Sequence, residues 1–223
     1  MYSILDDFHY KVLESDINKE IVFYDYKMPE NEIFNYVHEL LNTDIVQFLN
    51  WQNRNYTSIK ISYNDMVQFS SFSDVLRISS EMIKNSDKGI RWEEAGRILL
   101  NDGKDRKKGA LVKYGENHLK TSEYLGYIFS LNNTYFVSCL GYVNEKLSSE
   151  EKTKLLTRLI IRTNLFRIIF MFQKNGNVDL RKLFDMLSDS TYKRRLSNVR
   201  KVFDVLLKSD EYDFSEILNK IIY

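Results

Sequence analysis

Two short stretches carry residue types that could do chemistry, and the first contains a histidine. In "KYGENHLKTSEYLG", residues 113–126, His118 follows Glu116 and Asn117 directly. A histidine that acts as base or nucleophile needs a positioned Ser, Cys or carboxylate partner. Neighbours in sequence point to other faces of a helix, and position i+4 holds Ser122 rather than a second metal ligand. We therefore predict that His118 is structural or contacts phosphate, and that it is not catalytic.

The second stretch is "IVFYDYK", in which Asp25 and Lys27 end an apolar run. An acidic residue, one spacer and a lysine at a strand end are similar to half of the metal site of many nucleases. A second carboxylate would come from one of four upstream residues: Asp6, Asp7, Glu14 or Asp16. A small Mg²⁺-dependent nuclease in the N-terminal region therefore remains an alternative. Apart from that Mg²⁺, the sequence predicts no cofactor and no metal site.

Two basic clusters favour a different chemistry, the neutralisation of phosphates. Residues 104–120 hold six Lys+Arg against two acids, and residues 181–201 hold seven against two. Each cluster falls on a predicted helix or on the turn before it, where cations and amides suit phosphates and base edges. Two solvated helix faces are the alternative. The predicted DNA contacts are Lys107, Lys108, Lys113, Asn117, His118, Lys120, Thr121, Thr191, Lys193, Arg194, Arg195 and Asn198.

The overall charge conceals a segregation along the chain. The net charge is +1, yet residues 1–75 carry 5 Lys+Arg against 12 Asp+Glu, and the remainder carries 27 against 19. A basic part of this kind favours a polyanionic partner. The single Cys139 excludes an intramolecular disulfide, and the first thirty residues lack the apolar segment of a signal peptide. We therefore predict a cytoplasmic protein with no membrane association.

Composition and periodicity predict the elements that must position these residues. One Pro and 8 Gly in 223 residues favour helix. Apolar spacing predicts helices over 29–43, 73–86, 91–100 and 105–128, the last one closed by Gly126. The pair Asn132-Asn133 between two β-prone runs predicts a hairpin. Alternating residues predict strands over 18–29, 56–64 and 67–73.

The sequence also predicts helices in the C-terminal part, residues 148–223. Ser148 and Glu151 form a capping-box pattern that starts one long connecting helix over 148–174. Three helices follow within 175–223, the second capped by Ser190. Three helices and then a hairpin is the order of a winged helix-turn-helix. We predict a mainly α fold with short β hairpins (α+β), divided into a mixed α/β N-terminal region (1–74), a winged helix (75–147), the connecting helix (148–174) and a second helix-turn-helix-like domain (175–223).

Three segments carry a family resemblance: "KYGENHLKTSEYLG", "YFVSCLGYVNEKLSSEEKTKLLTRLIIRTNLF" and "STYKRRLSNVRKVFDVLL". Over residues 75–207 the chain resembles the winged helix-turn-helix recognition regions of type II, type IIS-like, restriction systems and related bacterial defence proteins. The resemblance implies tandem winged helices that read a double-stranded DNA site. Those enzymes carry a separate nuclease domain, and no such domain is evident here. The resemblance therefore implies either that the reaction lies in a nuclease or methyltransferase partner subunit, or that this protein only binds DNA.

The function that we predict is sequence-specific binding of double-stranded DNA, as the target-recognition component of a restriction-modification or phage-defence system. A transcriptional regulator and a protein-interaction module are alternatives. The sequence shows no glycine-rich phosphate loop, no nucleophile elbow and no metalloprotease helix. We therefore predict no catalytic activity in this chain alone. If it is enzymatic, the resemblance implies a type II restriction endonuclease.

Overall fold

The computed structural model describes residues 30–55, 61–85 and 89–223, and these are mainly helical. The chain divides into two compact units. The first unit comprises Met1–Asn42 and Phe69–Lys152, and the second comprises Thr43–Gln68 and Thr153–Tyr223. The predicted segment 75–147 lies in the first unit and the predicted segment 175–223 in the second. The sequence prediction over 18–29, with Asp25 and Lys27, lies outside the described residues.

The described elements follow one another in a simple order. The helices are α1 (Glu30–Asn42), α2 (Ile45–Asn55), α3 (Phe72–Asn85), α4 (Trp92–Leu99), α5 (Lys108–Leu125), α6 (Cys139–Lys146), α7 (Ser149–Arg162), α8 (Asn164–Phe172), α9 (Leu180–Leu183), α10 (Asp189–Leu207) and α11 (Ser215–Leu218). The strands are β1 (Ile128–Leu131), β2 (Thr134–Val137), β3 (Val178–Asp179) and β4 (Ile221–Ile222). Short 3₁₀ turns occupy Tyr63–Asp65 and Gln173–Asn175.

In the first unit, α5 packs against α3 and α4 and leads directly into the hairpin. The amphipathic α3 buries Val75, Ile78 and Met82 on one face, as its apolar spacing predicts. Strands β1 and β2 are antiparallel, with Ile128 opposite Val137 and Leu131 opposite Thr134. An isolated antiparallel bridge joins Ile90 to Tyr135, so that a third short segment lies beside β2.

Two turns confirm the sequence prediction in detail. Gly126 ends α5 in the left-handed conformation, at φ 90°, where its N–H bonds to Glu123 and Ser122 carbonyls. Asn132 and Asn133, between β1 and β2, have φ angles of 50° and 60°. Two consecutive left-handed residues define the two-residue turn whose twist suits a hairpin, and asparagine tolerates that conformation well. The hairpin is therefore specified locally.

The second unit is built around α10, which buries Tyr192, Val199, Phe203 and Leu206 along one face. Leu196, which has the same apolar spacing as Val199, Phe203 and Leu206, is only half-buried. Strands β3 and β4 form a parallel pair, with Val178 opposite Ile221. Phe166 packs edge-on against Phe214, with ring centroids 6.0 Å apart.

Two predicted strands are wrong in the described part of the chain. Residues 61–64 form no strand, and residues 67–71 belong to no strand and lead into α3, which begins at Phe72. Val67 and Phe69 are both buried while Ser70 is exposed. The alternation in sequence thus reflects alternating burial in a segment that belongs to no strand.

The predicted connecting helix and the C-terminal helices also need correction. The helix over 148–174 does start with the Ser148–Glu151 capping box, but it breaks at Thr163 into α7 and α8. Thr163 accepts from the Phe166 amide and caps α8. The two outer helices predicted within 175–223 shrink to the one-turn α9 and α11, because β-branched residues at their ends form β3 and β4. The observed cap of α10 is Ser188, not Ser190.

Candidate nucleic-acid interface

The position of α5 depends on two glycines at its crossing with α4. A Cβ added to Gly96 would meet the carbonyl oxygen of Leu111, and one added to Gly115 would meet the carbonyl oxygen of Trp92. Each helix therefore approaches the backbone of the other more closely than any side chain would allow. Gly115 does not interrupt α5, which is continuous from Lys108 to Leu125. This crossing determines which residues of α5 remain exposed.

His118 lies on the buried side of α5, so its predicted role in contacting DNA is wrong. The residue is 0% exposed. Its Nε2 accepts a hydrogen bond from the Ser71 amide at 3.3 Å, and its Nδ1 lies 2.7 Å from the Tyr114 carbonyl oxygen. The carbonyl can only accept, which assigns a neutral ring with the proton on Nδ1. Burial lowers the pKa of His118 below its usual value and favours that neutral form.

A carboxylate and a tyrosine extend this network to the start of α3. The Tyr114 hydroxyl donates to Asp74 Oδ2 at 2.5 Å, and the Tyr114 ring stacks on His118 with centroids 4.1 Å apart. Burial and the bond to Asp74 raise the pKa of Tyr114 to about 12. Burial alone would raise the pKa of Asp74, but hydrogen bonds from Tyr114 and Arg77 lower it. The cluster joins α3 to α5, with His118 fully buried and with Tyr114 and Asp74 half-buried.

Thr121 is also wrong as a DNA contact, whereas several lysines of this cluster are exposed. Thr121 is 3% exposed and its hydroxyl donates to the Asn117 carbonyl at 2.9 Å. Lys113 and Lys120 flank Glu116, with Nζ–Oε distances of 2.9 and 2.7 Å. Because one carboxylate serves both ammonium groups, the outer face of α5 carries a reduced positive charge.

The cations before α5 are arranged in the same way. Lys108 lies 3.0 Å from Glu93, and Arg106 forms a two-pronged pair with Asp102, whose pKa is lowered by those hydrogen bonds. Lys107 precedes α5 as its N-terminal flanking residue and is exposed. Of the predicted set in the first unit, exposed or half-buried positions remain at Lys107, Lys108, Lys113, Asn117 and Lys120.

In the second unit, Arg195 and Asn198 are buried on α10 and are likewise wrong as DNA contacts. They are 6% and 4% exposed. One guanidinium nitrogen of Arg195 donates to the carbonyls of Tyr63 and Met66, both at 2.9 Å, and the guanidinium lies 4.0 Å from the Tyr63 ring centroid. Arg195 thus fastens the 3₁₀ segment to α10. Its basic residue type indicated a surface role that its position on the helix excludes.

The outer face of α10 retains the strongest positive character. Lys193, Arg194, Arg200 and Lys201 are all exposed. In the part of the chain that the structure describes, the ion pairs of this unit involve Arg158, Arg181 and Lys182 rather than Lys193 or Arg194. Thr191 lies half-buried in the first turn and accepts from the Ser188 hydroxyl at 3.0 Å. We call the four exposed cations the α10 basic face.

The structure also contains a cleft that the sequence did not indicate. It has a volume of about 340 Å³ and lies beside the hairpin turn in the first unit. Its lining residues are Arg91, Trp92, Glu93, Val112, Asn132 and Asn133. The Asn-Asn pair was recognisable as a turn, but its proximity to Trp92 depends on the packing of α4, α5 and the hairpin.

Nothing in the described residues tests the nuclease alternative. Asp25 and Lys27 lie outside them. Within residues 30–55, 61–85 and 89–223, no group of three or more His, Cys, Asp or Glu side chains is placed to hold a metal ion. Among the helices that the structure describes, none is long and apolar enough to cross a membrane.

Comparisons with known proteins identify no relative. No protein-family model matches the chain, and neither the curated proteins nor the solved structures include a match.

Proposed function

We propose that the protein binds double-stranded DNA in a sequence-specific manner through a winged-helix arrangement in its first unit. The observation that carries the proposal is the order α3, Ile90, α4, α5, β1, β2, together with the pairing of Ile90 to Tyr135. The Ile90 and Tyr135 backbones exchange two hydrogen bonds of 2.8 Å. A helix, a short strand, two helices and a hairpin whose second strand pairs with the first strand is the arrangement of a winged helix-turn-helix. In this arrangement α5 is the recognition helix.

The exposed part of α5 supplies the base-reading candidates. Asn117 and Lys120 lie one turn apart, and an amide and an ammonium both suit base edges. Lys107 and Lys113 are suited to phosphates on either side. Since Glu116 neutralises part of this charge, the helix favours selectivity over general affinity for polyanions.

The α10 basic face supplies the phosphate contacts in this proposal. Lys193 and Arg194 are exposed in the first two turns of α10, and Arg200 and Lys201 lie about two turns further along the helix. Each cation that neutralises a phosphate releases counterions, which favours binding without reading sequence. The proposal thus assigns base selection to the first unit and most of the affinity to the second.

The biological role rests on the resemblance and is part of the same proposal. A chain that reads a site without cleaving it suits the target-recognition component of a restriction or phage-defence system. Cleavage or methylation would then belong to a partner subunit. Sequence-specific binding serves a transcriptional regulator equally well, because reading a DNA site does not define the reaction or regulation that occurs there.

The test begins with a selection from randomised duplexes, followed by affinity measurements on the recovered site and on a scrambled duplex. We expect the double variant Lys193→Glu with Arg194→Glu to lower the affinity for both duplexes by a similar factor. The double variant Asn117→Ala with Lys120→Ala should lower the affinity for the recovered site more than that for the scrambled duplex. Each good base contact favours the correct base by about 1–3 kcal/mol.

The matched control reverses two exposed lysines elsewhere in the second unit, Lys174→Glu with Lys220→Glu, and has the same net charge as the α10 variant. This control should retain at least most of the affinity. A selection that enriches no site, or equal losses in the α10 variant and the control, would refute the proposal and would favour the protein-interaction alternative.

A further inference from the structure

The cleft beside the hairpin turn has the size and shape of a small-ligand site. Its volume of about 340 Å³ lies at the lower end of the range for such sites. The cleft combines one large aromatic ring, Trp92, with one aliphatic wall, Val112, and polar groups at the hairpin turn and at the start of α4. A flat, partly apolar ligand with polar edges matches this lining.

The aromatic ring is held in place by the hairpin. The indole Nε1 of Trp92 donates to the Tyr135 hydroxyl at 3.2 Å. The Tyr135 backbone is itself fixed, because its N–H and carbonyl both bond to Ile90. The backbone of the adjacent residue Arg91 is therefore fixed on both sides, by the Ile90 bridge and by the first turn of α4. Because the Trp92 ring is already fixed by its hydrogen bond to Tyr135, it needs little ordering when a ligand stacks on it.

The turn presents two amide side chains at the cleft. Asn132 and Asn133 are both exposed, and both have left-handed backbones that fix the direction in which their side chains leave the turn. An asparagine amide offers a donor and an acceptor side by side, and this pair matches the N6 and N7 edge of adenine. Two such amides next to an indole suit a purine base, which has a flat ring and a polar edge.

Positive charge lies close to the same ring. Arg91 is exposed and flanks the N-terminus of α4, which has no side-chain cap. Uncapped amides at a helix N-terminus and an arginine both favour phosphate. Lys120 Nζ lies 5.4 Å from the centroid of the Trp92 ring and is paired with Glu116 at 2.7 Å, so that Arg91 supplies most of the positive charge at the cleft. The one carboxylate of the lining, Glu93, is already paired with Arg97 at 2.7 Å and Lys108 at 3.0 Å.

We propose that this cleft binds an adenine nucleotide. The base stacks on Trp92, its N6 and N7 edge bonds to the amides of Asn132 and Asn133, and the phosphate lies near Arg91. The nucleotide is either free in solution or an unpaired residue of DNA. In the second case the inference deepens the proposed function and rests on it.

The first experiment uses free nucleotides and measures the cleft alone. The Trp51→Phe variant leaves Trp92 as the one tryptophan, because the sequence contains two. Titration with adenosine monophosphate should quench Trp92 fluorescence, and cytidine monophosphate should bind at least tenfold more weakly. Asn133→Gly removes one amide while keeping a turn that glycine adopts readily. We expect this variant and Arg91→Gln each to weaken binding of adenosine monophosphate about tenfold.

The second experiment uses duplexes in which one 2-aminopurine is either paired or unpaired. Protein added to the unpaired duplex should change the fluorescence of 2-aminopurine, and affinity should exceed that for the paired duplex. Trp92→Leu should abolish this preference, since base–aromatic stacking contributes about a tenfold factor or more. Asn133→Gly should reduce the preference in a fold that thermal melting shows to be intact.

The outcomes separate the inference from the proposed function. Binding of adenosine monophosphate that the variants weaken supports the cleft with a free nucleotide, even when no duplex binds and the proposed function fails. A preference for the unpaired duplex that the variants weaken supports the cleft with DNA as the source. The inference is overturned if adenosine monophosphate does not bind and if duplex affinity is the same with a paired or an unpaired base and in the cleft variants. The proposed function is then unaffected. No binding of any probe overturns both.

Discussion

The predictions from sequence and the structure differ most at four buried polar side chains. His118, Thr121, Arg195 and Asn198 all have the residue types of a DNA-contacting surface, and all four are buried. Each belongs to the buried side of its helix, and His118, Thr121 and Arg195 form hydrogen bonds to backbone atoms. His118 thereby joins α5 to the segment before α3, and Arg195 joins α10 to the 3₁₀ turn, whereas the Thr121 bond lies within α5; a buried polar group is tolerated when it is hydrogen-bonded.

The state of His118 predicts how the stability of the first unit changes with pH. The folded-state pKa of His118 is lowered relative to 6.5 in the unfolded chain, so the unfolded state binds more protons as the pH falls. The stability contribution is therefore complete above pH 6.5 and is lost below it. Protonation would also replace the acceptor that faces the Ser71 amide with a second donor.

We expect the urea midpoint of the wild type to fall between pH 7 and pH 5, and that of His118→Gln to change less. Asp74 affects a separate window, because its lowered pKa makes its contribution decline only below about 3.8. Equal pH dependence of the wild type and His118→Gln over pH 5–7 would contradict this assignment of the histidine.

In the second unit, we expect the largest single loss of stability on replacement of Arg158. Its side chain is 1% exposed and forms two hydrogen bonds with Glu211, at 2.7 and 2.9 Å, and a third with the Thr43 carbonyl at 2.9 Å. Removing one member of a buried pair leaves the other charge without compensation, which costs about 3–5 kcal/mol. We expect Arg158→Met to lower the free energy of unfolding, measured in urea, by that amount.

The control is a double-mutant cycle with Glu211→Leu. Because both charges are absent from the double variant, its loss should be clearly smaller than the sum of the two single losses. Additive losses would show that the pair is not coupled.

At the scale of elements, the crossing of α4 and α5 is determined by Gly96 and Gly115. We expect Gly115→Ala to destabilise the first unit by about 1–3 kcal/mol or more, because the new methyl group would overlap the Trp92 carbonyl oxygen. Gly109, in the first turn of the same helix α5, has no atom within 4 Å of an added Cβ. Gly109→Ala should therefore be neutral or stabilise by up to about 1 kcal/mol, and thermal melting compares the two.

The predicted helices, strands and turns agree with the structure where a few neighbouring residues determine them. The hairpin turn at Asn132-Asn133, the end of α5 at Gly126 and the start of α7 at Ser148 depend on backbone conformations and caps that a few residues specify. The predictions fail at residues 67–71, at Thr163 and in the C-terminal helices, where burial or a distant strand partner decides. The pairing of Val178 with Ile221 joins residues more than 40 positions apart in sequence and leaves no signature in either short segment.

At the scale of the whole molecule, the charge pattern predicts how DNA affinity depends on salt. If the four cations of the α10 basic face each neutralise one phosphate, they contribute about −3.6 to the slope of the logarithm of the binding constant against the logarithm of salt concentration, and contacts of Lys107 and Lys113 would make the slope steeper. The α10 contacts alone should lower affinity about 150-fold between 50 and 200 mM salt.

The variant Lys193→Glu with Arg194→Glu should reduce the magnitude of this slope by about 2, since each lost phosphate contact changes it by about 1. Measuring affinity at four or more salt concentrations for this variant and for Lys174→Glu with Lys220→Glu compares the two slopes. An unchanged slope in the α10 variant would place the phosphate contacts elsewhere.

The amino-acid order is enough to specify a mainly helical chain, most helix positions and the turn of the hairpin, because propensity, capping and apolar period act over a few residues. It is also enough to place positive charge on the stretches that become α5 and α10. The direction in which each charge points is a property of packing. His118 and Lys120 are two residues apart, and one is in the core while the other is exposed, because the contacts of α5 with α3 and α4 select one face of the helix. The cleft at Trp92 has the same origin, since it joins residues more than 40 positions apart that meet only when the hairpin packs beside α4.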